Sequence, residues 1–434
     1  MDHEASEVAA AEETRRAWAG LLAAAQRAGY AAHDLAALYL LSDGQVDWVG
    51  LADARGGDPV KPLYTSDGWI PFATDGGGNS LAADLAPEPG GSVGVALYPL
   101  ETGDGMTDWT EPRLTADGGL PAYDDLPPAP RGGRSAWGLF GPEDGFGLLN
   151  LQTPERVATA ARLVRSGEVY SLNAPVTVPE PPLFRRGAVR HTLLTIGSAG
   201  FDDKLDNFYP QASSQWDSLA HIGYGADQFY NGVTAQDVTD RQRNTIGHWA
   251  ERGIAGRGVL LDIDALLGGA GDGFDPASPR AVTAAELDAA REAAGIQWQP
   301  GDVLLLHTGF LGWHVRQPAA ARQAMAERGA LRSVGLAHDE EMARYLWNAH
   351  VAAVVADNPA VEVWPADSGA EAFPFGFLHQ VLIGQFGLAL GELWWLDDLA
   401  RACRQDGRHE VFLTAAPLNL PGGIGSPANA LAFK

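Results

Sequence analysis

The sequence predicts an α/β domain preceded by a small α+β module, and three observations carry that reading. The 434 residues exceed the length at which one hydrophobic core stays undivided, so two folding units are the natural count. Composition breaks between Pro112 and Ser135, where Pro, Gly and Asp crowd together with neither helical nor strand period. Beyond that break, short β-rich runs alternate with helical patterns, which is the order of an α/β layer fold. The expected boundaries are a module over residues 1–115, a Pro/Gly-rich linker over 116–135 and the α/β domain over 136–434.

In the first module, Ala5 to Ala28 is an Ala-rich helical stretch, and a second short helix is expected around His33 to Leu41, stopped by Asp43-Gly44. Short apolar segments punctuated by Gly and Pro then run through Tyr98 and predict a small antiparallel sheet. Asp75-Gly-Gly-Gly-Asn79 lacks the Lys-Ser/Thr of a phosphate-binding loop and sits between strand-like flanks, so it reads as a tight hairpin. In the second domain, Thr283-Ala-Ala-Glu286 has capping-box spacing and opens an Ala-rich helix. Asp302 to His307 (DVLLLH) reads as a buried strand, Asp339 to Ala349 as a helix and Val351 to Val355 as another strand.

Composition excludes several function classes. With 55 acidic against 30 basic residues the formal charge is −25, which repels phosphate backbones and anionic lipid surfaces, so nucleic acid and membrane are not expected partners. The longest apolar candidate, Leu378 to Trp395, is interrupted by His379, Gln385 and Glu392 and falls short of a bilayer span. The acidic start Met1-Asp2-His3-Glu4 lacks a secretory pattern, and the single cysteine, Cys403, fits a reducing compartment; a cytoplasmic location is expected.

Two segments offer chemistry. In Gln211 to His221, an extended backbone would line Gln211, Gln215, Asp217 and His221 along one face, with Trp216 and Ala220 turned away. The solvated face of an edge strand is the competing structural account. In Phe377 to Trp395, a continuous helix would set His379 and Glu392 roughly 140° apart. Gly384, Gly387 and Gly391 argue instead for a helix from about Pro374, a turn at Gly384–Gly387 and a strand carrying Glu392, which brings both side chains to one place. Two segments each supplying a histidine and a carboxylate point to a metal. Ser213, Ser214 and Ser218 lack a G-x-S-x-G elbow, and Cys403 lies in a polar helix end far from the other signals. Phe208, Tyr209, Trp216, Phe229 and Tyr230 flank the site and suit either an aryl-substrate pocket or the core. His248, His307 and His314 read as structural.

Residues 10–110, with LAALYLLSDGQ and GWIPFATDGGGNSLAADLAPEPGG, resemble the SUKH family, which implies an interaction or immunity module without an active site. Residues from about 120 to 434 resemble the cyclase family that contains bacterial kynurenine formamidase. The segments that carry this are WGLFGPEDGFGLLNLQTPE, RGVLLDID, GDVLLLHTG, VVADNPAVEVWP and APLNLPGGIGSPANALA. The family signature H-x-G-T-H-x-D-x-P-x-H is met here with Gln211 and Gln215 in place of the first two histidines, Asp217 and His221 as its Asp and last His, and His379 and Glu392 as the later pair.

That resemblance implies a swivelling β/β/α fold and metal-dependent hydrolysis of a C–N bond in a small aryl or cyclic amide, with lactone or dehydration chemistry as the neighbouring alternative. The implied ligands are Gln215, Asp217, His379 and Glu392, with His221 as general acid and base and Trp216, Phe208 and Tyr209 toward the substrate. Two carboxylates balance one divalent ion rather than two, and the oxygen-rich set shifts preference from Zn²⁺ toward Mn²⁺. A homo-oligomer is implied as well. The contrasting class is an inactive binding protein in which Gln211 and Gln215 mark a lost metal centre.

Overall fold

The computed structural model describes residues 119–434 apart from 130, 242, 269–273 and 328, together with residue 114 and five strands of the preceding part. The chain forms two compact units, Met1–Asp108 and Trp109–Lys434.

In the first unit β1 (Leu38–Leu40) pairs antiparallel with β2 (Val46–Trp48). Leu38–Leu40 is therefore strand, not part of the expected helix over His33–Leu41. Asp43-Gly44 reads as a helix stop, but Asp-Gly between short apolar runs is equally a hairpin signal, and pairing with Val46–Trp48 decided it. β3 (Trp69–Thr74), β4 (Ser80–Asp84) and β5 (Val95–Tyr98) form the expected small antiparallel sheet, with Thr74 opposite Ser80. The helix expected over Ala5–Ala28 and the loop Asp75–Asn79 lie outside the described residues.

The second unit is built on one mixed nine-stranded sheet. Its strands in chain order are β6 (Val169–Ser171), β9 (Gln215–Asp217), β10 (Ile254–Asp262), β12 (Val303–His307), β14 (Ala353–Ala356), β15 (Ala389–Glu392), β16 (Glu410–Ala415), β17 (Gly425–Pro427) and β18 (Ala430–Phe433). The spatial order is β17-β9-β15-β14-β12-β10-β16-β18-β6. Two smaller pairs stand apart: β7 (Arg190–Ile196) with β8 (Gly200–Asp206), and β11 (Ala281–Val282) with β13 (Gly335–Leu336).

The middle of the sheet is parallel, β10-β12-β14-β15, and its strands are near-continuous apolar runs because both faces are covered. Thr283 and Glu286 close the expected capping box on the helix Ala284–Ala293, and Asp339 caps the helix Glu340–Asn348 by accepting from the Met342 N–H. The carboxyl ends of these parallel strands, where ligands gather in open α/β sheets, carry Asp262, His307, Asp357 and Glu392.

The stretch read as a linker is packed where it is described. Leu120, Tyr123 and Leu126 are buried, the Trp347 indole donates to the Pro121 carbonyl at 2.9 Å and the Tyr123 N–H to Asn348 Oδ1 at 2.8 Å. Its Pro and Gly residues break periodicity without preventing the apolar residues between them from joining the core. A chain starting at Ala122 is therefore expected to be less stable than one starting at Trp109 by about 2–4 kcal/mol, from the lost Leu120 side chain and the orphaned indole N–H. Thermal denaturation of the two, read with their metal content, checks this; equal midpoints would show that the strap contributes nothing.

Candidate metal centre

β9 lies between β17 and β15, and its register with β15 sets Gln215 opposite Glu392 and Asp217 opposite Leu390. Residues two apart on a strand share a face, as do directly paired residues, so Gln215, Asp217 and Glu392 all project from one side. Trp216 projects from the other. It is fully buried and packs edge-on against Trp249 and Trp394, with ring centroids 6.3 and 4.9 Å away. It is a core residue, and the expectation that it contacts substrate does not hold.

Only Gln215–Asp217 is strand; Gln211 and His221 reach the site from the turns that flank it rather than along one extended face. Gln211 Nε2 donates to Asp217 Oδ1 at 2.8 Å and lies 2.9 Å from His221 Nδ1, while His221 Nε2 is 3.7 Å from Asp217 Oδ1.

The second segment folds as a short helix, His379–Leu382, a glycine turn and β15. At Gly387, φ is +65°, and a Cβ there would press into the Tyr230 ring and the Gly147 backbone, so the turn requires glycine. The result sets His379 Nε2 3.1 Å from Glu392 Oε1. Ligand atoms of Asp217, His379 and Glu392 all lie within 4.8 Å of one another in a buried setting. Asp217 Oδ2 has no hydrogen-bond partner although it is buried. A buried carboxylate oxygen without a donor is costly, and beside an imidazole and a second carboxylate it has the chemistry of a cation ligand.

Gln215 is not free to complete this set. Its Nε2 donates to Glu392 Oε2, and its Oε1, the one atom by which an amide ligates a cation, accepts from Arg186 at 3.3 Å. Three of the four expected ligands converge, and the fourth holds Glu392 in place.

Glu362 is a site residue that the sequence reading missed. It is buried, accepts from His379 Nδ1 at 2.6 Å and takes the backbone N–H groups of Leu378 and His379. It thus fixes the imidazole with Nε2 toward Glu392, as outer carboxylates do for metal-bound histidines. A carboxylate set between the valines of the apolar stretch PAVEVWP is the signal that could have found it.

Charges confirm a crowded centre. Burial, with the neighbouring Asp217 charge, pushes Glu392 up to about 7. Burial opposes a charge on His379, but its hydrogen bonds with Glu362 and Glu392 outweigh that and lift it to about 10. Burial lowers His221, with Asp217 pulling the other way. A histidine ligates a cation only as the neutral imidazole, and in that state the three carboxylates Asp217, Glu362 and Glu392 against Arg186 leave a net −2, which one divalent ion would cancel.

The remaining candidates separate cleanly. Ser213 and Ser214 donate to the backbone carbonyls of Pro175 and Leu393, which occupies their hydroxyls. Tyr230 is buried with its hydroxyl on Asp144. Phe208 and Tyr209 line a cleft of about 60 Å³, far below the ~150 Å³ of a cavity that takes up benzene. The groups Asp262–Asp264–His307 and His307–Asp357–Asp397 also meet the distances of a metal cluster. However, the His307 nitrogens lie 2.8 Å from Asp262 and 3.2 Å from Asp397, and Asp357 is taken up by Thr308 and Gly309. Burial works against a charge on His307, yet these carboxylates raise it to about 10, and the pairings tie it into a hydrogen-bonded network.

A parallel-centred mixed sheet carrying a buried carboxylate–imidazole cluster at its carboxyl edge defines an α/β protein with a group of residues able to hold a metal ion. A family model described as "Putative cyclase" matches residues 164–363. A crystal structure of a novel cyclase is 31% identical, with a TM-score of 0.61, covering 69% of this chain and 99% of its own. The chain belongs to the cyclase family. More distant structures include isatin hydrolase A from Labrenzia aggregata, at 17% identity and TM-score 0.46, covering 63% of this chain and 94% of its own. A "predicted metal-dependent hydrolase" from Bacillus stearothermophilus is 18% identical at TM-score 0.35, covering 62% and 98%. No curated protein matches the chain.

Proposed function

We propose that the second unit is a metal-dependent hydrolase that opens the C–N bond of a small aryl or cyclic amide. The observation that carries this reading is the buried Asp217, whose Oδ2 has no hydrogen-bond partner, in one cluster with His379 and Glu392. Asp217, His379 and Glu392 would hold one divalent ion, and their two oxygens and one nitrogen suit Mn²⁺ ahead of Zn²⁺. Such an ion, when bound, polarises a carbonyl and acidifies a water.

The chain's own residues supply the rest. His221 is partly exposed, with 23% of its side chain accessible, whereas Asp217, His379 and Glu392 are buried. With Nε2 turned to Asp217, Nδ1 is the atom that takes a proton, and the Gln211 amide now covers it. A water arriving in place of that amide gives its proton to Nδ1 as its oxygen attacks the carbonyl carbon. The same proton passes to the nitrogen as the C–N bond breaks, leaving an amine and a carboxylic acid, which ionises by releasing its remaining proton to solvent. Arg186 and Gln215 hold Glu392 on the opposite side. The first unit, as a SUKH-like module, would add a protein partner rather than a catalytic group.

One divalent ion per chain is expected after purification without chelator, read by elemental analysis. Two equivalents would overturn the charge balance above. None after metal-supplemented expression would favour the inactive binding protein, in which the amides of Gln211 and Gln215 have taken over the carboxylates.

A further inference from the structure

A cavity of about 340 Å³ is lined by Arg257 in the first half of β10, Asp302 directly before β12 and Glu410 at the start of β16. It thus lies toward the amino ends of the parallel strands, whereas Asp262, His307 and Glu392 stand at their carboxyl ends. Its size falls in the ~300–1,000 Å³ range of small-molecule sites.

Its polar lining is built and buried. Arg257 and Asp302 are 9% and 1% exposed, and Arg257 donates to Asp302 Oδ2 at 3.1 Å. The Arg257 Nε lies 2.8 Å from Glu410 Oε1, and both terminal nitrogens of the guanidinium also donate to the Gln297 carbonyl. One guanidinium therefore serves two carboxylates. The exposed Arg156 and Glu155, which also line the cavity, cancel one another, so the lining keeps a single net negative charge. Burial, with the Glu410 charge adding to it, pushes Asp302 up to about 6 against the pull of Arg257. Gln152 also lines the cavity and is 7% exposed, and its Nε2 has no hydrogen-bond partner. That amide packs against Gly256, where an added Cβ would come within 2.9 Å of Nε2. It is held by packing rather than by bonds and has both a donor and an acceptor end to offer.

We propose that this cavity binds a small organic ammonium ion, its charge held by Glu410 and the Gln152 amide oxygen and its apolar body lying against Ala160, Leu163 and Pro300. The net charge of the lining, in a chain of formal charge −25, selects against an anion and is balanced by one monocation. A bare metal ion is not what the cavity fits. Glu155, Asp302 and Glu410 are not among the groups of described residues whose ligand atoms converge within 4.8 Å. Ala160, Leu163 and Pro300 on the wall match carbon rather than a hydrated ion. The site is separate from the proposed metal centre and does not depend on it.

Isothermal calorimetry on the full chain is expected to give one site per chain for tyramine and for phenethylamine. Tyrosol, in which a hydroxyl replaces the ammonium of tyramine, should show no saturable binding. Glu410→Gln should weaken both amines about fivefold, the scale of a partly exposed ion pair. Its thermal transition should stay cooperative, because Arg257 keeps Asp302 and Gln297. Gln152→Leu, of similar size, should weaken both amines about tenfold through loss of one charge-assisted hydrogen bond. Asp217→Ala should bind the amines as wild type does, which separates this cavity from the metal centre. Tyrosol binding as tight as tyramine, undiminished affinity in Glu410→Gln or in Gln152→Leu, loss of binding in Asp217→Ala, or no saturable binding by either amine would each overturn the proposal.

Discussion

Asp217→Ala is expected to purify nearly free of metal while still folding. Asp217 is fully buried; Gln211 donates to its Oδ1, but its Oδ2 has no hydrogen-bond partner, so that oxygen gains its compensation from a cation or from nothing. In the proposed centre, its removal takes away one of two charged oxygen ligands. Replacing an outer partner of a metal ligand already costs about 10- to 100-fold in affinity, so loss of the ligand itself should exceed ~100-fold. Folding should survive, because β9 is held by backbone pairing to both β15 and β17 and by Trp216 in the core. Elemental analysis beside a thermal melt reads both. A folded Asp217→Ala protein with undiminished metal would place the ion elsewhere and remove the basis for the proposed centre.

His221→Ala should behave in the opposite way: metal content near wild type, and turnover lower by about 10²- to 10⁴-fold, the usual contribution of a positioned acid or base. The difference follows from geometry. His221 approaches Asp217 only at 3.7 Å, on the Oδ1 side that Gln211 also contacts, and it is absent from the group whose ligand atoms converge. The comparison is made on a panel of aryl formamides, cyclic amides and lactones, scored against wild type. Should His221→Ala lose metal as completely as Asp217→Ala, His221 is a ligand, and another group must move the proton.

Where a residue's place depends on its immediate neighbours, it was legible in the sequence. The capping box at Thr283 and Glu286, the buried strand over Val303–His307 and the break of Phe377–Trp395 at its glycines follow from propensity and period. Asp217, His379 and Glu392 stood out because charged groups in apolar runs need a partner. Leu38–Leu40 was not legible in that way, since three apolar residues fit a helix or a strand equally and only pairing with Val46–Trp48 chose.

The sequence by itself determined an α/β domain of the cyclase kind, a strongly acidic chain and the identity of the three groups able to hold a cation, because composition, period and motif are written locally. Tertiary structure alone decided what those groups do to one another. The β9–β15 register put Glu392 beside Gln215, and Arg186, from a different segment, then took the Gln215 oxygen away from ligation. Glu362, 17 residues before His379, became its orienting carboxylate, and the Pro/Gly-rich strap around Tyr123 became core. These are contacts between residues distant in sequence, and hydrogen bonds and burial act over a few ångströms of space whatever the separation along the chain.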